Sequence, residues 1–460
     1  MTTLTAIAGP TSPISLPSGR ALRQVLYISM CGLLSALLIF GPLALGAVQY
    51  WSIALFEGGT LCLGLLWMAS QLSAELTTIR WSPLFAPSIA FFAIVMAQIV
   101  FHRTAYRYDS LSEAWLYIAY CIILFVSVQI LHRAGILHFA RLVAAATSVY
   151  AVFAIIQGFT STNRIYWRIL PRAGSPYGSY VNHNHYAGLI ELALPISLML
   201  AFNGSTRGAV RGLLIFTSTL MFGSVFLSQS RAGMATVVAE VVILTILWAW
   251  KSTWRATIFV AISFCLATAI LLTCIAPEQV SERMADLHDA ARLQIYKDSV
   301  QMFRDRPLLG TGFGTFATVF PRYRTSFDGF FINHAHDDYL EILLETGLLG
   351  FGAAVWFLVL LYREGFRHLA RCKRSPEAML SMAALVSCTG MLIHSFVDFN
   401  LHIPGNAALF CVMCAAATLS PPRQQSAVAV AHLGELNGQI ESTRPQRVLA
   451  NSFAPLKRCA

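Results

Sequence analysis

His334-Ala-His-Asp-Asp-Tyr-Leu-Glu-Ile-Leu-Leu-Glu-Thr-Gly-Leu-Leu-Gly350 runs without a break into Phe351-Gly-Ala-Ala-Val-Trp-Phe-Leu-Val-Leu-Leu361. The second half is apolar enough to continue as a helix through a bilayer. The first half sets histidines and carboxylates at its entrance. An ionisable group in the middle of a membrane helix costs roughly 2.5–3.5 kcal/mol on insertion scales. Folding alone gives no reason to accept that cost. The stretch therefore reads as a transmembrane helix with a functional site at its N-terminal end.

Outward from this stretch, the apolar half recurs along the whole chain. The sequence is 56% hydrophobic and only 12% charged, with a mean hydropathy of +0.62, where a soluble domain carries about 25% charged residues. Apolar runs of bilayer length fall at roughly 25–46, 52–70, 82–101, 112–132, 137–159, 185–203, 211–228, 231–250, 255–275, 338–361, 377–397 and 403–420. The expected fold is an all-α polytopic membrane protein of about twelve transmembrane helices. Its expected parts are a disordered polar tail over 1–24, the first block of spans over 25–275, a long outer loop over 276–337, further spans over 338–420 and a flexible tail over 421–460. The first apolar run is too long for a signal-peptide core and is read as a span. Of the ten cysteines, most lie inside expected spans, among them Cys62, Cys121, Cys265 and Cys388, where Cys acts as a small apolar residue. Cys411 and Cys414 form a C-x-x-C without a second pair, so neither a disulfide framework nor a zinc knuckle is indicated.

The net charge of +10 raises nucleic acid as a partner, but its distribution explains it otherwise. With the N-terminus in the cytoplasm, roughly nineteen of the 32 Lys and Arg fall in inward loops and tails, as the positive-inside rule requires. The segment Tyr362–Arg374 is the richest. The small outward loops at 102–111 and 160–184 carry arginines against the rule. Both termini inside remains the best solution. It brings Asn182-His-Asn-His185, Ser228-Gln-Ser-Arg231, the 276–336 segment and His394-Ser-Phe-Val-Asp-Phe-Asn-Leu-His402 to one outer face.

Each of these motifs has a bland reading beside the functional one. A helix expected over about 283–305 carries Leu293, Tyr296, Val300 and Phe303 at helical spacing, which fits an amphipathic helix lying on the bilayer or the protein. Arg292 on it is a solvated charge on the bland reading and a ligand for an anion on the other. Gly310-Thr-Gly-Phe-Gly-Thr-Phe316 lacks the spacing and the strand of a nucleotide loop and reads as a tight turn. Arg231 is either a snorkelling anchor or, on an outer turn where such anchors are disfavoured, a phosphate ligand with two parallel donors. His183/His185 and His334/His336 are H-x-H pairs of metal-ligand type, but no third ligand is evident and no metal is expected. Without metal, a histidine at a wet membrane face can act as a general base, with Asp337 or Asp338 to orient it. Asp338, Glu341 and Glu345 share one helical face, expected to look into a water-filled cavity. Gly347-x-x-Gly350 fits close approach by a neighbouring helix. Glu191, Glu240 and Asp398 are in-membrane acids, as suited to a packing network as to a site.

Taken together, these segments resemble the O-antigen ligase and polymerase family of bacterial membrane glycosyltransferases. Its ligases carry an outer-loop histidine followed by Asn, Ser or Gln, then nine residues, then G-x-x-G. Here His336 is followed by Asp337, nine residues and Gly347-Leu-Leu-Gly350, so the spacing agrees and the second residue departs. Asn182-His-Asn-His-Tyr-Ala-Gly188, Ser228-Gln-Ser-Arg-Ala-Gly233, Arg292 with Pro307-Leu-Leu-Gly-Thr-Gly312, and His394-Ser-Phe-Val-Asp398 also look like the family, covering about 180–405. The resemblance implies a GT-C-like helical fold. It implies inverting, metal-independent transfer of a glycan from an undecaprenyl-diphosphate carrier to a hydroxyl of a glycan, lipid or protein acceptor. On it, His336 is the general base and Arg231 and Arg292 bind the diphosphate. His183, His185, His334, Asp337, Asp338, Glu345, His394 and Asp398 are substrate contacts or supports. The implied setting is the bacterial cytoplasmic (inner) membrane, with no cofactor, no metal and no nucleic acid. The acceptor, and with it the choice between ligase, chain polymerase and protein O-glycosyltransferase, stays open.

Two rivals come from other classes. A secondary transporter also carries many spans and in-membrane carboxylates, but favours midplane sites and internal repeats, whereas the polar residues here collect at one face and no repeat is visible. A non-catalytic polysaccharide-export component would tolerate loss of His336.

Overall fold

The bilayer-length apolar runs become helices almost where they stand in the sequence. The computed structural model describes residues 19–73, 79–131, 134–171, 174–203, 206–251, 290–326, 329, 331–371 and 375–419. Along them run α1 (Gly19–Leu43), α2 (Tyr50–Leu72), α3 (Phe85–Val100), α4 (Arg107–Ile130), α5 (Ala134–Thr160), α6 (His183–Phe202), α7 (Gly208–Leu227), α8 (Arg231–Lys251), α9 (Ala290–Asp305), α10 (Asp338–Arg371), α11 (Pro376–His394) and α12 (Pro404–Ala417). Among the described residues, nine helices are long and apolar enough to cross a membrane, and α3 and α12 are shorter apolar helices. The protein is an all-helical, polytopic membrane protein. The span expected over 255–275, the stretch leading to α9, residues 1–18 of the first tail and the second tail lie outside the described residues; residues 19–24, expected in the disordered tail, begin α1 instead.

α6 is the axis of the bundle. Every residue from His185 to Ala201 is buried, with α5, α7, α8, α11 and α12 packed around it. The outer helices turn Leu55, Leu65, Ile89, Val149, Phe216 and Ile246 outward. So much exposed apolar surface suits lipid rather than water.

One element departs from the smooth helix that the sequence led us to expect. Gly347 breaks α10 with φ 63° and ψ −166°. The Gly347-x-x-Gly350 pair therefore does not serve helix–helix approach. The break frees backbone groups, and the Pro307–Gly312 loop takes them up. Leu348 N donates to Pro307 O (2.8 Å), Leu349 N to Leu308 O (3.2 Å), Thr311 N to Leu344 O (3.0 Å) and Gly312 N to Glu345 O (2.9 Å). Gln98 of α3 completes the seam, donating to Glu345 O at 2.8 Å and accepting from Phe313 N at 3.2 Å. Buried backbone groups must be paired; here a loop docks into a broken helix to pair them.

Gly347→Ala is expected to lose about 1–3 kcal/mol, the usual cost of forcing a side chain into such a backbone conformation, because its Cβ would also meet the backbone of Leu308. Gly352→Ala, where the added Cβ meets open space, should be neutral or slightly stabilising. Thermal unfolding in detergent compares them; equal melting temperatures would count against a structural role for the break.

Candidate functional site

The first two turns of α10 bury three carboxylates, Asp338, Glu341 and Glu345, each at most 2% exposed. They share a face, as their spacing requires, and each is met there by another segment, while Asp338 also lines a cavity. Each acid is claimed by a different segment. Asp338 accepts from His402 Nδ1 at 2.7 Å and from Leu401 N at 3.2 Å. Glu341 pairs with His334 Nδ1 at 2.8 Å and accepts from Ala335 N at 2.8 Å. Glu345 accepts from Gly314 N and Phe316 N, both at 2.8 Å. The glycine-rich Gly310–Phe316 turn thus presents two backbone amides to an internal carboxyl side chain.

Beside this row lies a second cluster centred on Asp398, in the loop after α11. Asp398 is fully buried. Its Oδ1 stands 3.7 Å from His336 Nδ1 and 3.8 Å from His185 Nε2. Burial opposes ionisation of Asp398, but the two imidazoles, aided by His394, outweigh it and hold the carboxyl well below the usual range. His336 sits in left-handed backbone conformation, φ 55°, a posture that costs a non-glycine residue free energy and clusters at functional sites. Its carbonyl accepts from Tyr296 Oη of α9 at 3.2 Å. Deeper still, His394 Nδ1 meets Glu191 Oε1 at 2.8 Å, both side chains wholly buried between α11 and α6.

Phe399 lies between the two clusters. Its ring stacks on His334 with centroids 4.1 Å apart, and meets His336 edge-on at 5.1 Å and His185 at 4.7 Å.

The structure therefore gathers His185, His334, His336, Asp338, His394 and Asp398 at one end of the bundle. Arg292 reaches the same place from α9, donating from Nη1 to Val397 O at 2.8 Å. Arg231 is the first residue of α8, directly after a turn tied to the N-terminus of α6 by Ser230 Oγ donating to Asn184 Oδ1 at 2.7 Å. His183 opens α6 beside the Asn182 cap. Glu345 belongs instead to the seam at the helix break. The sequence reading overlooked His402 and Phe399, although both lie in the quoted His394–His402 run; nothing in one sequence tells which distant acid a histidine will meet. In the same way Cys414 faces Cys388 of α11 at 3.8 Å across the α11–α12 contact.

Asp337 acquires a definite role as the N-cap of α10. Its Oδ1 accepts from Tyr339 N at 2.9 Å and Leu340 N at 3.0 Å, satisfying two amides that a helix start leaves unpaired. Burial pushes its carboxyl above the usual range, and these two amides pull it back. Asp is among the residues favoured at an N-cap, so the cap accounts for this residue by local structure alone.

Residues 216–355 match the O-antigen ligase family model. The exopolysaccharide production protein ExoQ of Rhizobium meliloti (strain 1021) is 23% identical over 147 residues, 30% of this chain and 33% of that protein. The chain thus spans about a third of the length of the curated relative it matches. Arg231, Arg292, His334, His336 and Glu341 fall within 216–355; His185, His394, Asp398 and His402 lie outside it.

Asp337→Asn should keep the cap and the melting temperature, whereas Asp337→Ala should cost about 0.5–2 kcal/mol. Unfolding curves of the two variants test this, and an alanine variant as stable as wild type would remove the capping role.

Proposed function

Starting from a chain whose residues 216–355 belong to the O-antigen ligase/polymerase family, we propose that it transfers a glycan from an undecaprenyl-diphosphate carrier to an acceptor hydroxyl, with inversion, at the periplasmic face of the bacterial inner membrane. The observation that carries this reading is the meeting of His336, Asp398 and the α9 arginine on two adjoining loops. His336 faces Asp398 through Nδ1, and Arg292 is bonded to Val397, the residue next to Asp398.

In this reading the acceptor oxygen attacks the anomeric carbon opposite the diphosphate. The new glycosidic bond forms as the bond from that carbon to the diphosphate oxygen breaks. The hydroxyl proton passes to His336 Nε2, the nitrogen turned away from Asp398, and the electron pair leaves on undecaprenyl diphosphate. Asp398 is a positioning residue: its buried charge favours the imidazolium that forms, and the 3.7 Å approach is of the loose kind that tightens when substrate binds. Arg231 and Arg292 stabilise the departing diphosphate, where planar, permanently charged donors suit phosphate oxygens. The carrier's tail requires an apolar channel. An apolar cavity of about 220 Å³, lined by Phe91, Tyr117, Phe351, Phe357 and Phe410 with Asp338 and His402 on its wall, offers a slot for the first isoprene units. The chemistry draws on no metal and no nucleotide. A basic patch for nucleic acid is not part of the reading.

The test is transfer by purified protein from an undecaprenyl-diphosphate-linked glycan, scoring both lengthened donor and glycan moved to lipid or protein. His336→Ala should lower turnover by about 10²–10⁴-fold, the contribution of a positioned base, and Arg231→Ala and Arg292→Ala by about 10²–10³-fold, all with wild-type melting temperatures. If folded protein transfers nothing from several donors, or all three variants stay fully active, the reading fails. Substrate flux in proteoliposomes would then favour a transporter.

A further inference from the structure

The first turn of α10 gathers a donor set for which the transfer chemistry has no use. His334 Nδ1 stands 2.8 Å from Glu341 Oε1, and His402 Nε2 stands 3.5 Å from the same oxygen. The three donor atoms all lie within 4.8 Å of one another. They come from three segments: the loop before α10, α10 itself, and the turn between α11 and α12. Groups outside the cluster hold each donor in place. Asp338 takes His402 Nδ1 at 2.7 Å, Ala335 N holds the other oxygen of Glu341 at 2.8 Å, and Phe399 stacks on His334.

Both nitrogens of His402 are engaged: Nδ1 lies 2.7 Å from Asp338 Oδ1, which leaves Nε2 facing Glu341 Oε1 at 3.5 Å.

We infer that His334, Glu341 and His402 form a zinc site. Tetrahedral zinc with bonds of about 2.0–2.1 Å sets its ligand atoms about 3.4 Å apart. The separations of 2.8 and 3.5 Å come within about 0.6 Å of that value. Imidazole nitrogen and carboxylate oxygen are zinc donors, and two His with one Glu leaves a fourth position for water. Asp338 on the far nitrogen of His402 is the supporting carboxylate that metal-bound histidines commonly have. The His334 and His402 side chains are 28% and 16% exposed, which leaves a route for the ion. No step of the transfer runs through it. The ion ties three segments together and so braces His336, two residues from His334, and Asp398, four residues from His402. The site stands whether or not the chain transfers glycans.

The experiment uses full-length protein in detergent, stripped with chelator and titrated with ZnCl2 by calorimetry, with melting temperature followed in parallel. The expected result is one zinc per chain and a raised melting temperature. His334→Ala and His402→Ala should weaken binding at least about tenfold and abolish the thermal shift, and Asp338→Asn should weaken it about 10–100-fold. His138→Ala, on α5, should leave binding unchanged. Folded wild type that takes up no stoichiometric zinc, or zinc binding kept by both histidine variants, would overturn the site. If those variants do not fold, Co2+ added to wild type decides: intense visible bands of tetrahedral cobalt support the site, and their absence overturns it.

Discussion

The functional end of this protein depends on the burial of three carboxylates along one face of α10. Left alone, Asp338, Glu341 and Glu345 would each carry a desolvation penalty of several kcal/mol. Each is instead satisfied by a segment that has little other reason to be ordered where it is. Asp338 fixes the turn between α11 and α12 through His402 and Leu401. Glu341 fixes the loop that precedes α10. Glu345 fixes the glycine-rich turn after α9. Charge burial, usually a liability in a membrane helix, here serves as the connector between helices and loops.

That connector sets the geometry of the second cluster. His336 lies between His334 and α10, so its loop is pinned on both sides, and its left-handed backbone is held by neighbours rather than by its own preference. Asp398 follows α11 and precedes the turn that Asp338 holds. α9 is bonded to both strands of this arrangement, through Tyr296 to the carbonyl of His336 and through Arg292 to that of Val397. Half of the resulting site lies outside residues 216–355, the part that matches the O-antigen ligase family. The matched segment supplies His336 and Arg292; the chain beyond it supplies Asp398 and His185, which face His336 or its partner.

Apolar length was legible in the sequence because the bilayer imposes it: among the described residues, the runs near 20 residues are helices, and α3 and α12 are the short ones. The convergence of polar motifs on one end was also legible, since alternating spans leave only two ends to choose from. Pairings were not. His402 looks no different from any other histidine until α10 and the α11–α12 turn are packed together. Gly347 reads as a small residue for helix contact, and only the docked Pro307–Gly312 loop makes a break the lower-energy choice. Asp337 was legible in principle, because an Asp directly before a helix start is a cap by local rules alone. It was weighed as a site residue because it stood beside His336.

Phe399 gives the two clusters their separate characters. It is a half-buried ring with His334 on its face and His336 and His185 at its edges. The ring offers neither side a hydrogen-bond partner, so it separates the two groups sterically. The acids of α10 are engaged by their own segments, while Asp398 faces His336 and His185. An apolar residue thus fixes which polar groups can meet.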